Sequence, residues 1–134
     1  MTSRDVVERT DLNVLIVDYE VDYLTNVAKV LEERGYNVFK AKDGFTVTSI
    51  LQSWTIDVAF VDIQMPVIDG VEVLKEIKYT NPEVHVVMMT AYPTMETTVS
   101  TLMAGALDYL HKPVKVERMI EILEELREAR EVGV

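Results

Sequence analysis

Two kinds of apolar pattern alternate along this chain, and that alternation leaves few folds open to it. Short runs, largely β-branched and with almost no polar interruption, lie at residues 14–17, 58–61 and 84–89, with a weaker one at 107–110. Strands that are buried on both faces, as in parallel sheets, carry that pattern. A less apolar run at 36–41 reads as an edge strand. Between the runs the spacing changes to that of helices. Leu24, Val27, Ala28 and Leu31 fall at i, i+3, i+4 and i+7, and Gly35 offers a left-handed stop. Val47, Ile50, Leu51 and Trp54 repeat the stripe, Val71, Leu74 and Ile77 give a third, and Asn81-Pro82 ends it. Met95, Val99, Leu102, Met103 and Ala106 give a fourth; Val116, Met119, Ile120, Leu123 and Leu126 give a long, charge-laced last helix. The order is strand then helix, five times over. It predicts an α/β fold with a parallel sheet and helices on both faces.

At 134 residues, 49% of them hydrophobic, the chain has the size of one domain with a core of its own. It has no cysteine, which excludes disulfide frameworks, thiolate zinc sites and cysteine nucleophiles. The formal charge of −10 repels phosphate backbones, so no direct nucleic-acid partner is expected. The polar N-terminal stretch is not a signal peptide and no apolar run is long enough to span a bilayer, so a cytoplasmic protein without membrane contact is expected.

In such a sheet, ligands bind beyond the carboxyl ends of the strands, where the strand order reverses. The strand ends are therefore the informative positions. They carry Asp18, Asp62, Thr90 and His111-Lys112. Two carboxylates, a hydroxyl and an amine would emerge along one edge. Paired carboxylates are a hard-oxygen site of the kind Mg²⁺ accepts. A carboxylate can also attack phosphorus, and the charge that develops is then met by a cation and by hydroxyl or backbone donors. Helix capping would explain one strand-end Asp. It does not explain four polar groups of three kinds, each closing a buried strand.

These residues sit in longer blocks: Val14-Leu15-Ile16-Val17-Asp18; Val61-Asp62-Ile63-Gln64-Met65-Pro66 with Asp69-Gly70; Met89-Thr90-Ala91-Tyr92; and Gly105 through Pro113, which contains Asp108-Tyr109-Leu110-His111-Lys112-Pro113. In order and spacing they resemble the receiver domain of two-component response regulators, in particular receivers attached to AAA+ transcription activators. The resemblance covers roughly residues 12 to 128. It implies the flavodoxin-like strand order 2-1-3-4-5, a receiver at 12–130, a flexible leader at 1–11 and a short tail at 131–134. It also implies that Asp62 is the phosphoacceptor and that Asp18, Asp62 and the backbone carbonyl of Gln64 hold Mg²⁺. Thr90 would hydrogen-bond the phosphoryl group, Lys112 would pair with it, Thr90 and Tyr109 would form the switch, and the Lys112-Pro113 bond would be cis. The implied partners are a histidine kinase or phosphotransfer protein and an effector domain or partner protein. Homodimerisation through the fourth helix, fifth strand and fifth helix is a further implication. The only chemistry implied is self-catalysed phosphotransfer and aspartyl-phosphate hydrolysis.

One position departs from the family pattern. Where two adjacent acids usually follow the first strand, this chain reads Val17-Asp18-Tyr19-Glu20. A phenol is neutral at pH 7 and a poor ligand for a hard cation. Weaker Mg²⁺ binding is expected, with Glu20 or Asp22 as stand-in ligands or simply as acids at a helix start. The leading function is a phosphorelay switch. The alternative is a degenerate receiver that acts as a phosphate-independent interaction module. A small phosphohydrolase built on a nucleophilic Asp is disfavoured, because no cap domain or substrate pocket is evident. His85 and His111 read as structural or surface residues, the methionines as packing within the stripes, and Trp54 as core or half-buried.

Overall fold

The computed structural model describes residues 12–66 and 68–132. The expected leader at 1–11 lies outside the described residues, as do 133 and 134. The strands are β1 (Asn13–Val17), β2 (Asn37–Ala41), β3 (Val58–Asp62), β4 (His85–Thr90) and β5 (Asp108–His111). The helices are α1 (Val21–Glu33), α2 (Gly44–Ser53), α3 (Gly70–Thr80), α4 (Met95–Met103) and α5 (Val116–Val132). All neighbouring strands pair in parallel, in the order β2-β1-β3-β4-β5. The order reverses between β1 and β3, so the cleft at the sheet's carboxyl edge opens there.

The uninterrupted apolar runs have a direct structural cause. Successive side chains of a strand point to opposite faces, so a strand covered on both sides needs apolar residues at every position. Val14, Ile16, Val58, Phe60, Val87 and Met89 enter one core, with Leu24, Val27 and Leu31 of α1 and Met119, Ile120 and Leu123 of α5. Leu15, Val17, Ala59, Val61, Val86 and Met88 enter the other, with Val47 of α2 and Val73, Leu74 and Ile77 of α3. Helix α1 stops at Gly35, whose φ of 95° is cheap only without a Cβ. Helix α5 is held against the start of β2 by the Tyr36 hydroxyl, which donates to the Glu124 carboxylate.

Two expected stripes face differently. Helix α2 ends at Ser53; Trp54 is extended and 57% exposed, its ring 5.2 Å from that of Phe39. Among the described residues β2 is the outer strand of the sheet, so Trp54 rests beside Phe39 with no further strand to cover it. In α4, Met95 and Met103 are 83% exposed and Val99 and Leu102 nearly half exposed, whereas Thr101 is fully buried. The small Thr101 side chain lies inward and satisfies its hydroxyl on the carbonyl of Thr98. The apolar stripe of α4 is therefore a surface. Methionines accordingly divide: Met88, Met89 and Met119 fill the core, while those of α4 do not.

Candidate functional site

Each site residue is positioned by the end of a strand. Asp18 follows β1 and is wholly buried; Asp62 closes β3 at 4% exposure; Thr90 closes β4 and is wholly buried. Lys112 follows β5, and its backbone N–H donates to the carbonyl of Thr90 at 2.7 Å. Its ammonium lies 2.7 Å from Asp18 Oδ2 and 3.4 Å from Asp62 Oδ2. The two carboxylates are thus bridged by one cation. Backbone donors serve their other oxygens: Glu20 N–H reaches Asp18 Oδ1 at 2.9 Å, and Gln64 N–H reaches Asp62 Oδ1 at 3.2 Å.

The electrostatics follow from that count of charges. Burial pushes the Asp62 carboxyl above the usual carboxylate range; Lys112 opposes the shift and Asp18 adds to it. For Lys112, burial alone would lower the pKa. Its hydrogen bond and charge pairing with Asp18, and then with Asp62, overcome this and hold the ammonium above its ordinary value. Tyr23 of α1 closes the floor, its ring 5.4 Å beneath the Lys112 ammonium. Burial, with Asp18 next, raises its phenol to about 12. Sequence reasoning missed Tyr23, although it lies one turn before Val27 on the buried face of α1.

The height of Asp62 is set from below by α3. Asp69 caps that helix by accepting the N–H of Val71 at 2.9 Å, and Gly70 N–H donates to the carbonyl of Ile63 at 3.0 Å. A Cβ on Gly70 would stand 2.2 Å from the carbonyl oxygen of Asp62 and 2.6 Å from Ile63 Cα. The Asp-Gly pair of the second sequence block is therefore a steric requirement of the site.

The cleft is lined by Tyr19, Glu20, Asp62, Gln64, Ala91 and Lys112 among others. Tyr19 is 54% exposed on its rim. Asp22 is exposed in the first turn of α1 and does not line the cleft. Tyr109 stands apart from the charged cluster: half-buried on β5, its hydroxyl meets that of Thr97 on α4 at 2.9 Å. His85 and His111 are exposed. The Lys112-Pro113 bond is cis.

Two carboxylates and one ammonium leave net negative charge among hard oxygens, a donor set suited to a divalent cation that keeps several waters. Among the described residues no group of three or more His, Cys, Asp or Glu side chains could hold a metal. Position 19 of the cleft rim carries a phenol, not a third carboxylate. The buried carboxylates of Asp18 and Asp62 suit such an ion, with one charged group fewer than a pair of adjacent acids after β1 would add.

The family model described as "Response regulator receiver domain" matches residues 14–124. The chain belongs to that family. This receiver is 39% identical over 126 residues to the transcriptional regulatory protein ZraR of Salmonella typhimurium, an alignment covering 93% of the chain. It spans 29% of that protein's length, less than a third. The receiver domain protein of Methanospirillum hungatei superposes with a TM-score of 0.85 at 28% identity, covering 92% of this chain and 99% of that one. The receiver domain of NtrX from Brucella abortus gives 0.77 at 35% identity, covering 87% and 98%. The chain is thus a phosphorelay signalling module of the two-component type, and the comparisons lend no support to the phosphate-independent alternative. No helix among the described residues is long and apolar enough to cross a membrane.

Proposed function

We propose that this receiver, acting in the cytoplasm, takes a phosphoryl group from a histidine kinase or phosphotransfer protein onto Asp62. The observation that carries the reading is the bridge of Lys112 between buried Asp62 and buried Asp18. In the transfer, an Asp62 carboxylate oxygen forms a bond to phosphorus while the bond from phosphorus to the donor imidazole nitrogen breaks. The imidazole leaves with the electron pair and takes a proton from solvent. Lys112 meets the negative charge on the transferred group, and the Thr90 hydroxyl donates to one of its oxygens. Asp18, Asp62 and the Gln64 carbonyl would hold Mg²⁺, which supplies charge neutralisation on the phosphoryl oxygens when bound. The same groups allow slow hydrolysis of the aspartyl phosphate, with no other substrate. Incubation with acetyl phosphate and Mg²⁺, followed by mass spectrometry, tests the reading. A single phosphoryl adduct per chain is expected, and an unlabelled protein refutes it.

Tyr19 sets the metal affinity. Restoring the second acid adds one charged ligand, so Tyr19→Asp is expected to tighten Mg²⁺ binding roughly tenfold by calorimetry. Calorimetry is the suitable probe because the single tryptophan, Trp54, lies at the far end of α2 against Phe39. If wild type binds at least as tightly as Tyr19→Asp, another group has replaced the missing carboxylate.

The output surface in this reading is α4, β5 and α5. Support comes from the exposed apolar side chains Tyr92, Met95, Val99, Leu102, Met103 and Leu107, which follow Thr90 in sequence through α4 to the start of β5. Within this surface the Tyr109 hydroxyl of β5 meets that of Thr97, which ties β5 to α4. An effector domain, a partner protein or a second receiver would read this surface. Sedimentation with beryllofluoride and Mg²⁺ is expected to show a dimer that Leu102→Glu dissolves. An unchanged monomer under both conditions removes the homodimer from the reading.

A further inference from the structure

The side chain of Gln64 makes two contacts for which the phosphoacceptor reading has no use. Its amide oxygen Oε1 accepts the Thr90 hydroxyl at 2.8 Å and the Ala91 N–H at 3.2 Å. Thr90 Oγ1 in turn accepts the N–H of Tyr92 at 3.0 Å. Thr90 is wholly buried, so its hydroxyl cannot turn to solvent for another partner. Gln64, Thr90 and Tyr92 thus form a short relay from the loop after β3 to the loop before α4. One carbonyl oxygen sits where it gathers two convergent donors at the rim of the cleft. Convergent hydroxyl and backbone donors are the arrangement that suits an oxygen of a transferred phosphoryl group.

We propose that Gln64 is an internal occupant of the phosphoryl site. Its amide oxygen holds the Thr90 hydroxyl and the Ala91 N–H in the phosphate-free protein, and it must give both up each time Asp62 is phosphorylated. This inference rests on Asp62 as the phosphoacceptor. The exchange runs towards the phosphoryl group because an anionic oxygen takes shorter and stronger hydrogen bonds than a neutral amide oxygen. Until then the amide oxygen competes with the donor for the same two hydrogens. It also holds the Thr90 hydroxyl, whose oxygen accepts the Tyr92 N–H, so the loop before α4 is tied to Thr90 before phosphorylation. Gln64 is in this sense a positioning residue: it acts on the phosphoryl group through Thr90 and Ala91. Its backbone carbonyl, the proposed metal ligand, is untouched by side-chain substitution.

Two variants of nearly equal shape separate this role from a structural one. Gln64→Met keeps the bulk and removes the competing oxygen. Gln64→Glu replaces it with an anionic oxygen that holds the donors harder. With acetyl phosphate and saturating Mg²⁺, Gln64→Met is expected to label roughly three- to tenfold faster than wild type, the factor that one or two net hydrogen bonds represent. Gln64→Glu is expected to label more slowly than wild type. Amide exchange followed by NMR gives a second readout without phosphate: the Ala91 N–H should exchange faster in Gln64→Met, and the difference should vanish once beryllofluoride is bound. Equal labelling rates in wild type and Gln64→Met, with unchanged Ala91 exchange, overturn the proposal and leave Asp62 in its role. Slower labelling of Gln64→Met also overturns it. Failure of wild type to label at all overturns both.

Discussion

Replacing Asp62 by Asn is expected to abolish labelling by acetyl phosphate and at the same time to make the folded protein more stable at neutral pH. The first half follows from the loss of the nucleophilic oxygen, because an amide does not form the acyl phosphate. The second follows from the electrostatics of the cluster. Burial, with Asp18 alongside, holds the Asp62 carboxyl above its ordinary range even though Lys112 opposes the shift. A carboxyl that ionises less readily in the folded chain than in the unfolded one opposes folding once it is charged. The sign is thus opposite to that of a salt-bridged surface carboxylate. Below the ordinary carboxylate pKa of about 4 both states hold the proton and the two proteins should differ little. As pH rises from there through the raised native pKa, the wild type loses stability that the Asn variant keeps, and above that range the gap is constant. Thermal unfolding at pH 3, 5 and 7 measures it. Asp18 retains its 2.7 Å contact with Lys112 in the variant, so the ammonium is not left without a partner. A variant less stable than wild type at pH 7 would show that Lys112 offsets the burial of Asp62 completely. Residual labelling would place the acceptor elsewhere.

Gly70→Ala should be the most damaging single methyl group that can be added near the site. Its Cβ would lie 2.2 Å from the Asp62 carbonyl oxygen and 2.9 Å from the carbonyl carbon, both backbone atoms of a fully paired strand. Neither can move without moving β3, so α3 must back away and the cap at Asp69 must open. Alanine's better helix propensity, worth up to about 1 kcal/mol in a helix interior, counts for less in the first turn. The overpacking cost of about 1–3 kcal/mol therefore dominates, and Asp62 is displaced with it. Urea unfolding should show the destabilisation and the phosphoryl adduct should form more slowly. Gly44→Ala is the matched control at the first position of α2. There the close atom is Ile68 Cδ1 at 2.5 Å, the tip of a flexible side chain, and a small effect is expected. Equal losses in the two variants would mean that helix starts in general, and not the approach to Asp62, govern the result.

Much of this protein could be read along the chain, for a reason that belongs to parallel sheets. A strand with helices on both faces has no solvent side, so β1, β3 and β4 had to appear as unbroken apolar runs, and any polar residue closing such a run had to lie at the cleft. That logic located Asp18, Asp62, Thr90 and Lys112 before any coordinates. The resemblance of the longer blocks assigned them roles and brought in Gln64 and Tyr109.

Other features depend on how distant segments meet. Periodicity marks an apolar stripe without saying whether a neighbour covers it. Trp54 therefore reads as core or half-buried and the methionines of α4 as packing, and they are exposed because β2 is an edge and Thr101 is the residue α4 turns inward. Tyr23 beneath Lys112 lies 89 positions away from it in sequence, and no local pattern links an aromatic on the first helix to an amine after the last strand. The two hydrogen bonds to the Gln64 amide oxygen span 26 and 27 residues. Residue types and their spacing determine which chemistry reaches the cleft, because strand direction and strand ends are local properties. Which donor already has a partner there depends on side chains from separate loops arriving at one point, and only packing in three dimensions brings them together.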